Sequence, residues 1–313
     1  MADSPRSPGA DRPRDLKLDP KVAERLQHLQ LSATRAVEGF LAGRHKSPHR
    51  GVSVEFVERR GYVPGDDLRH LDWKIFGKAD RFVIKQYEEE TNLRAHLFLD
   101  QSESMNYGHD GGMSKFDYAA TGVASLAFLI QQQADAVGLT LFDEKVCKQL
   151  PPSNTRANLG NVFHALEQAQ ARKQKTKIGT ILHDLASQLR QRGMVMIFSD
   201  LFDKPEEVLR GLREIAGRGH DVVVFHILDK DEVEFPFERM TLFLGMEQMP
   251  ELLCDPKSLR EAYLAEIEGF AEQIRKGCHG QRIDYVRVVD NTPLDVVLTS
   301  YLSARSARAK RRK

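Results

Sequence analysis

The residues in this chain best suited to chemistry are an acid and two hydroxyls at alternating positions, Asp100, Ser102 and Ser104. They follow the apolar residues 97–99, which have the composition of a buried strand. On a loop that leaves the carboxyl end of a strand, these side chains offer hard oxygen ligands of the kind that Mg²⁺ prefers. The same triplet is also typical of a helix start, with Ser102 or Ser104 as the capping residue. The triplet by itself leaves a cation site and a helix cap as alternatives.

Two more oxygen-bearing residues lie where a parallel sheet would bring them near the triplet. Thr180 opens a helical stretch, and Asp200 ends the apolar segment 194–200, which has the pattern of a buried strand. In an open α/β sheet the strand ends on one edge converge on a single crevice, so residues distant in sequence can share one ion. The sequence thus predicts a Mg²⁺ site, with Mn²⁺ as the alternative ion. Its predicted ligands are Asp100, Ser102, Ser104, Thr180 and Asp200.

The elements that would position these residues alternate between strand and helix along the chain. The pattern predicts strands at 93–100, 136–142, 145–150, 194–199, 222–228 and 282–289. It predicts helices at 115–133, 156–171, 180–190, 205–216, 256–276 and 293–302. Such alternation is typical of a parallel sheet, so we expect an α/β fold with a doubly wound, mostly parallel sheet.

The chain divides into four segments. Residues 1–18 are rich in Pro, Arg, Asp and Ser and are predicted to be disordered. Residues 19–92 are predicted to form an N-terminal helix and strand extension, with a helix from Pro20 that ends at Gly43. Residues 93–302 form the predicted α/β domain, and residues 303–313 form a basic tail that we expect to be solvated and disordered.

Composition and charge restrict the class of protein. The 313 residues include 46 Lys and Arg against 45 Asp and Glu, so no net field favours nucleic acid. The three cysteines show no spacing typical of a disulfide framework or a zinc site. The N-terminus lacks the apolar core of a signal peptide, and no apolar run approaches the roughly 20 residues that span a bilayer. We therefore expect a cytoplasmic protein with no membrane span and no nucleic-acid partner.

The five predicted ligands resemble the metal-ion-dependent adhesion site of von Willebrand factor A-type domains. The resemblance implies that the hydroxyls of Ser102, Ser104 and Thr180 contact the metal directly. It implies that Asp100 and Asp200 hold the metal mainly through water. The sixth metal position is then left for a carboxylate from a partner, which makes the site a docking site and not an active site.

A second resemblance rests on two blocks of sequence. The first reads Arg50-Gly51-x-Ser53-x-Glu55-Phe56 and Tyr62-x-Pro64-Gly65-Asp66-Asp67-x-Arg69-x-Leu71-Asp72-Trp73-Lys74, followed by Glu88, Glu89 and Glu90. The second reads Asp255-Pro256-x-x-Leu259-Arg260-x-x-Tyr263-Leu264, with Ile283-Asp284-Tyr285 and Pro293-Leu294-Asp295. Over roughly residues 30–302 the chain resembles domain-of-unknown-function family 58, whose signature stands just before a von Willebrand A-like part. The resemblance implies a MoxR-type AAA+ ATPase as the partner and a role as adaptor or co-chaperone.

Charges of alternating sign fill the first of these blocks, between Arg59 and Lys74. Such a pattern favours an ion-pair network that fixes this segment against the sheet. The functional alternative is a surface that binds an anion or a partner, built on Arg60 and Arg69.

An enzymatic alternative is a phosphatase of the haloacid dehalogenase type. Its nucleophile would be Asp100 at the end of an apolar strand, and Ser199 after Ile197 and Phe198 resembles that superfamily's second motif. The chemistry requires an acid two residues after the nucleophile to protonate the leaving group, and here that position is Ser102. The sequence therefore favours a non-enzymatic, Mg²⁺-dependent interaction module.

Overall fold

In a computed structural model of the chain, the residues described are 54–61, 73–79, 81–89, 93–109, 112–170, 177–243, 245 and 251–311. The predicted helix from Pro20 to Gly43, the Pro-Gly-Asp-Asp block at 64–67 and Arg69 lie outside these residues. Arg60 lies in the first described strand, but its side chain is not among those described. The N-terminal extension contributes strand β1 (Val54–Gly61), helix α1 (Trp73–Ala79) and strand β2 (Val83–Glu89), and β1 pairs antiparallel with β2.

The strands after residue 93 form a six-stranded sheet and a small hairpin. The sheet contains β3 (Arg94–Asp100), β4 (Ala136–Phe142), β5 (Val146–Ser153), β6 (Met194–Ser199), β7 (Asp221–Leu228) and β10 (Asp284–Val289). The hairpin consists of β8 (Thr241–Phe243) and β9 (Leu252–Cys254). In the sheet order β10-β7-β6-β3-β4-β5, all neighbours are parallel except β4 and β5. The predicted α/β fold with a mostly parallel sheet is confirmed.

Helices cover both faces of this sheet. The helices described after residue 93 are α2 (Lys115–Gln132), α3 (Arg156–Gln168), α4 (Ile178–Gln188), α5 (Pro205–Gly217), the short α6 (Lys230–Glu234), α7 (Pro256–Gly280) and α8 (Leu294–Arg311). Helices α2, α3 and α8 bury apolar side chains against one face, and α4, α5 and α7 bury theirs against the other. Because both faces are covered, β6 is buried at every position, which explains its uninterrupted apolar run. Within the described segments, no helix is long and apolar enough to cross a bilayer.

The end of the chain differs most from the prediction. Helix α8 continues to Arg311, whereas the sequence predicts an end at residue 302 and a disordered basic tail. The guanidinium of Arg305 pairs with Asp221 and Asp284, at the beginnings of β7 and β10. The start of the predicted tail is therefore helical, because its first arginine is held against the sheet.

Candidate metal centre

The order of the strands reverses between β3 and β6, which lie side by side in the middle of the sheet. From this point the chain winds outward in both directions, so the loops after the two strands diverge and leave a crevice at their carboxyl ends. Asp100 is the last residue of β3, and Asp200 directly follows β6. The two carboxylates are close enough for the charge of Asp200 to act on the ionisation of Asp100. The structure thus brings these two predicted ligands together.

Asp100 is buried at the end of β3, and Ser102 and Ser104 are buried in the loop that follows it. Asp100 Oδ1 accepts a hydrogen bond from the Ser102 backbone at 2.9 Å, and Asp100 Oδ2 accepts one from the Ser199 hydroxyl at 2.6 Å. Ser104 begins a 3-10 helix of three residues that has no side-chain cap. In the part of this loop that the structure describes, the first α-helix is α2, and Ser114 caps it. The alternative that Ser102 or Ser104 caps an α-helix is therefore wrong.

The spacing of the two hydroxyls fits a small, hard cation. Ser102 Oγ and Ser104 Oγ are 3.1 Å apart. In an octahedral Mg²⁺ shell, neighbouring oxygens are about 2.9 Å apart, so the two hydroxyls fit adjacent positions of such a shell. Asp100 and Asp200 supply negative charge beside them, and hydroxyl and carboxylate oxygens are ligands that Mg²⁺ and Mn²⁺ share.

A buried lysine, Lys115, lies at the same edge and was not predicted from the sequence. It is the first residue of α2, and its side chain is 1% exposed. Its ammonium donates to Asp200 Oδ2 at 2.9 Å and to Glu232 Oε1 at 2.7 Å. The other oxygen of Asp200 accepts from the Phe202 backbone at 3.3 Å. One oxygen of Asp200 is thus already hydrogen-bonded to the ammonium of Lys115.

These charges shift the pKa values of the buried groups in different directions. Burial, together with the charge of Asp200, raises the pKa of Asp100 to about 7. Burial opposes ionisation of Asp200 as well, but the Lys115 ammonium outweighs burial and lowers the pKa of Asp200. Burial also opposes the charge of Lys115, but Asp200 and Glu232 outweigh it and raise the pKa of the ammonium. Lys115 therefore neutralises Asp200, and no described lysine or arginine pairs with Asp100.

Thr180 differs from the other four predicted ligands. Helix α4 begins at Ile178, so Thr180 lies inside its first turn, and its side chain is exposed. Among the described residues, no hydrogen bond joins Thr180 to the other four predicted ligands. The neighbouring Gly179 donates its backbone N–H to Asp203 Oδ2 at 3.3 Å, which links the start of α4 to the loop after β6. The structure thus leaves Thr180 outside the hydrogen-bond network of the site.

Gly179 sets the distance between α4 and α5, and its replacement tests how α4 is positioned. A Cβ at Gly179 would lie 2.7–2.8 Å from Cβ and backbone atoms of Glu207, so alanine forces the two helices apart. We expect Gly179→Ala to lower the free energy of unfolding by about 1–3 kcal/mol. Gly160 in α3 has no atom within 4 Å of an added Cβ, so Gly160→Ala is the matched control. It should raise the free energy of unfolding by as much as about 1 kcal/mol. Urea unfolding measures both changes, and equal effects would contradict this packing.

One protein family accounts for most of the chain. A sequence model of the family described as "Protein of unknown function DUF58" matches residues 58–271, which is more than half of the chain. The chain belongs to this family.

Relatives of this DUF58 chain occur in mycobacteria. An uncharacterized protein of Mycobacterium bovis is 29% identical over 221 residues, which cover 70% of this chain and 68% of the relative. An uncharacterized protein of Mycobacterium tuberculosis gives the same values. A solved structure of the conserved hypothetical protein BatB from Bacteroides thetaiotaomicron is 19% identical, with a TM-score of 0.48, and the match covers 69% of this chain and 99% of that one. Because the mycobacterial relatives are uncharacterized, they assign no function to this chain.

Two features of the sequence of this DUF58 chain point to Lys115 and Glu232. Lys115 is the first residue of a helix, where the helix dipole disfavours a cation, so its position there indicates a specific acidic partner. Glu232 follows Asp229 by three residues, which is the spacing of a capping box. These signals locate the two residues but not their pairing, because Lys115 and Glu232 are 117 positions apart.

Proposed function

We propose that this DUF58 chain is a non-enzymatic protein-interaction module that binds its partner through Mg²⁺ at the carboxyl ends of β3 and β6. The observation that carries the proposal is the pair of buried hydroxyls of Ser102 and Ser104, 3.1 Å apart beside Asp100 and Asp200. This donor set resembles the metal-ion-dependent adhesion site of von Willebrand factor A-type domains. By that resemblance the serines contact the metal, the aspartates act mainly through water, and a carboxylate of the partner completes the shell. By the same resemblance the hydroxyl of Thr180, in the first turn of α4, would be a further direct ligand.

The charge balance at this edge supports a divalent cation. Asp200 and Glu232 share the ammonium of Lys115, and the charge of Asp200 acts in turn on Asp100, with which no described lysine or arginine pairs. When Asp100 is ionised, three negative charges and one positive charge leave a net charge of about −2. Buried charge is costly unless it is compensated, so a divalent cation would balance the group and favour the ionised form of Asp100.

An exposed aromatic side chain next to the candidate metal supports docking. Phe202 is 56% exposed, and its backbone N–H donates to Asp200 Oδ1. Aromatic side chains are enriched in the cores of protein interfaces and among the residues that contribute most to binding energy. A partner that reaches the metal would therefore also cover Phe202.

A non-enzymatic role is supported by the residue at the position where a phosphatase of the haloacid dehalogenase type needs an acid to protonate the leaving group. The haloacid dehalogenase mechanism needs a general acid two residues after the nucleophile, and that position is the buried Ser102. The neighbouring Asp200 is held in its ionised form, because Lys115 lowers its pKa. An ionised carboxylate is a poor general acid, so these residues favour binding over phosphoryl transfer.

The partner we propose is a MoxR-type AAA+ ATPase, which the resemblance to family 58 implies. The sequence has no Gly-x-x-x-x-Gly-Lys-Ser/Thr loop for nucleotide phosphates. Energy for remodelling would therefore come from the ATPase, and this chain would act as its adaptor or co-chaperone. The ATPase would present the carboxylate that completes the metal shell.

Capture of the ATPase with and without metal tests this function. The tagged full chain is mixed with the purified MoxR-type ATPase of the same organism in Mg²⁺, in Mn²⁺ or in EDTA. We expect capture in either metal and at least about a tenfold loss in EDTA, because the charge-assisted contact to the partner carboxylate disappears. Equal capture in EDTA would contradict the metal bridge, and no capture in any buffer would contradict the choice of partner.

A further inference from the structure

A second group of metal-ligating side chains lies at the same edge of the sheet, beyond β6. Asp229 directly follows β7, Asp290 directly follows β10, and His109 lies in the loop after Ser104. His109 Nδ1 is 3.2 Å from Asp229 Oδ2 and 3.7 Å from Asp290 Oδ2. One potential ligand atom from each residue lies within 4.8 Å of the other two. The three residues are separate from those proposed to hold Mg²⁺.

One carboxylate oxygen in this group has no hydrogen-bond partner among the described residues. The side chain of Asp290 is fully buried, and the oxygen concerned is Oδ2, the one near His109. The other oxygen, Oδ1, accepts from the Lys230 backbone at 3.1 Å. A buried acceptor without a donor costs about 1–3 kcal/mol, and more when it is charged. A proton shared with the neighbouring Asp229 carboxylate would satisfy this oxygen in the metal-free protein, and a cation between Asp290 and His109 would take the place of that proton.

The spacing of the group fits tetrahedral coordination. Zn²⁺ binds imidazole nitrogen and carboxylate oxygen at about 2.0–2.2 Å, which places two tetrahedral ligands about 3.3–3.5 Å apart. The two distances from His109 Nδ1, 3.2 and 3.7 Å, lie on either side of that range. An imidazole ligand favours zinc over magnesium. No described lysine or arginine pairs with either carboxylate, so a divalent ion would also balance their charge.

The loop and α6 hold these side chains in position. The backbone N–H of His109 donates to Asp229 Oδ2 at 2.9 Å. A Cβ at Gly112 would overlap the imidazole of His109, so glycine leaves room for the ring at this point of the loop. Asp229 Oδ1 accepts from the Asp231 backbone at 2.6 Å at the start of α6. Hydrogen bonds that orient a ligand in this way strengthen metal binding.

We propose that His109, Asp229 and Asp290 form a zinc site with three protein ligands and an open fourth position. Zn²⁺ would bind Nδ1 of neutral His109 and one oxygen of each carboxylate, and any proton on Nδ1 would be released. The ion would tie the loop after Ser104 to the carboxyl ends of β7 and β10. Because the same loop leads into α2, zinc would also fix the position of Lys115.

Binding of Co²⁺ to the full chain tests the zinc site, since tetrahedral Co²⁺ absorbs visible light more strongly than octahedral Co²⁺ and is displaced by Zn²⁺. We expect the wild type to show a strong visible band from one tetrahedral Co²⁺ that Zn²⁺ removes, whereas Co²⁺ at the proposed Mg²⁺ site would be octahedral and absorb weakly. His109→Gln and Asp290→Asn should each weaken this binding by at least about tenfold. His183→Gln, at an exposed histidine that pairs with Glu214, is the matched control and should leave the band unchanged. Ser102→Ala should also leave it unchanged, which separates this site from the proposed Mg²⁺ site.

Two outcomes would overturn the zinc site. One is the absence of a strong visible band in the wild type, and the other is a band that neither His109→Gln nor Asp290→Asn weakens. In either case His109 would act only as a counter-charge for the two carboxylates. His109→Gln decides the question if Asp290→Asn does not fold, because the His109 side chain is partly exposed and glutamine has a similar size.

Discussion

Replacing Lys115 with methionine is expected to lower the free energy of unfolding by about 3–5 kcal/mol. Methionine keeps the length of the buried side chain but removes the ammonium that lies 2.9 Å from Asp200 Oδ2 and 2.7 Å from Glu232 Oε1. Two carboxylates then remain at a buried edge without their cation. Urea unfolding in EDTA, followed by circular dichroism, measures the loss.

Lys230→Met is the matched control for this substitution. Lys230 is 41% exposed and pairs with the exposed Glu234 at 3.7 Å, so its loss should change stability by less than about 1 kcal/mol.

Adding Asp200→Asn to Lys115→Met should recover part of the lost stability, because one of the uncompensated charges is removed. Mg²⁺ should stabilise Lys115→Met more than the wild type, since the ion would take over the role of the ammonium. Equal effects at Lys115 and Lys230 would contradict a buried charge network.

Ser102→Ala is expected to abolish the Mg²⁺-dependent capture of the MoxR-type ATPase. The substitution removes one of the two hydroxyls that lie 3.1 Å apart, so the proposed shell loses a direct ligand. The fold should be retained, with a change in stability of about 1 kcal/mol, because the hydroxyl contributes one neutral hydrogen bond. Capture in Mg²⁺ and in EDTA, together with urea unfolding, separates lost binding from lost folding.

Ser187→Ala provides the control for Ser102→Ala. Ser187 is exposed on α4, and its hydroxyl donates to the Asp184 carbonyl within the same helix. This variant should capture the ATPase as the wild type does. If Ser102→Ala also behaved as the wild type in both buffers, the metal would have to be held elsewhere on the chain.

Buried strands and their carboxyl ends could be predicted because a parallel strand covered on both faces is a continuous apolar run. β4 and β6 have their predicted bounds, Ala136–Phe142 and Met194–Ser199. The carboxyl edge of a parallel sheet collects the ends of its strands. The alternation of strands and helices therefore places Asp100 and Asp200 on the same edge of the sheet, and the order of the strands, with β6 beside β3, brings them together.

The side-chain pairings at this edge could not be predicted, because they join residues that are distant in sequence. Lys115 pairs with Asp200 over 85 positions and with Glu232 over 117 positions. Arg305 pairs with Asp221 over 84 positions, and for this reason a segment with the composition of a tail continues a helix. Local composition contains no information on such pairs.

The sequence places both Asp229 and Asp290 directly after a predicted strand, but it does not indicate that the two residues meet. Each follows a strand directly, as Asp200 follows β6. Only the order of the strands places β10 beside β7 and so brings the two aspartates together. Periodicity predicts strands, but their order in the sheet depends on how helices on both faces pack.

A crystal structure of the full chain with Mn²⁺ and acetate is the most direct test of a metal-dependent docking site. Mn²⁺ accepts the oxygen ligands of Mg²⁺ and is located by its anomalous scattering, and acetate stands in for the partner carboxylate. We predict an anomalous peak about 2.0–2.3 Å from Ser102 Oγ and Ser104 Oγ, with an acetate oxygen in the shell and Lys115 still on Asp200. Mn²⁺ bound only at other positions, with water between the two serine hydroxyls, would contradict the docking site.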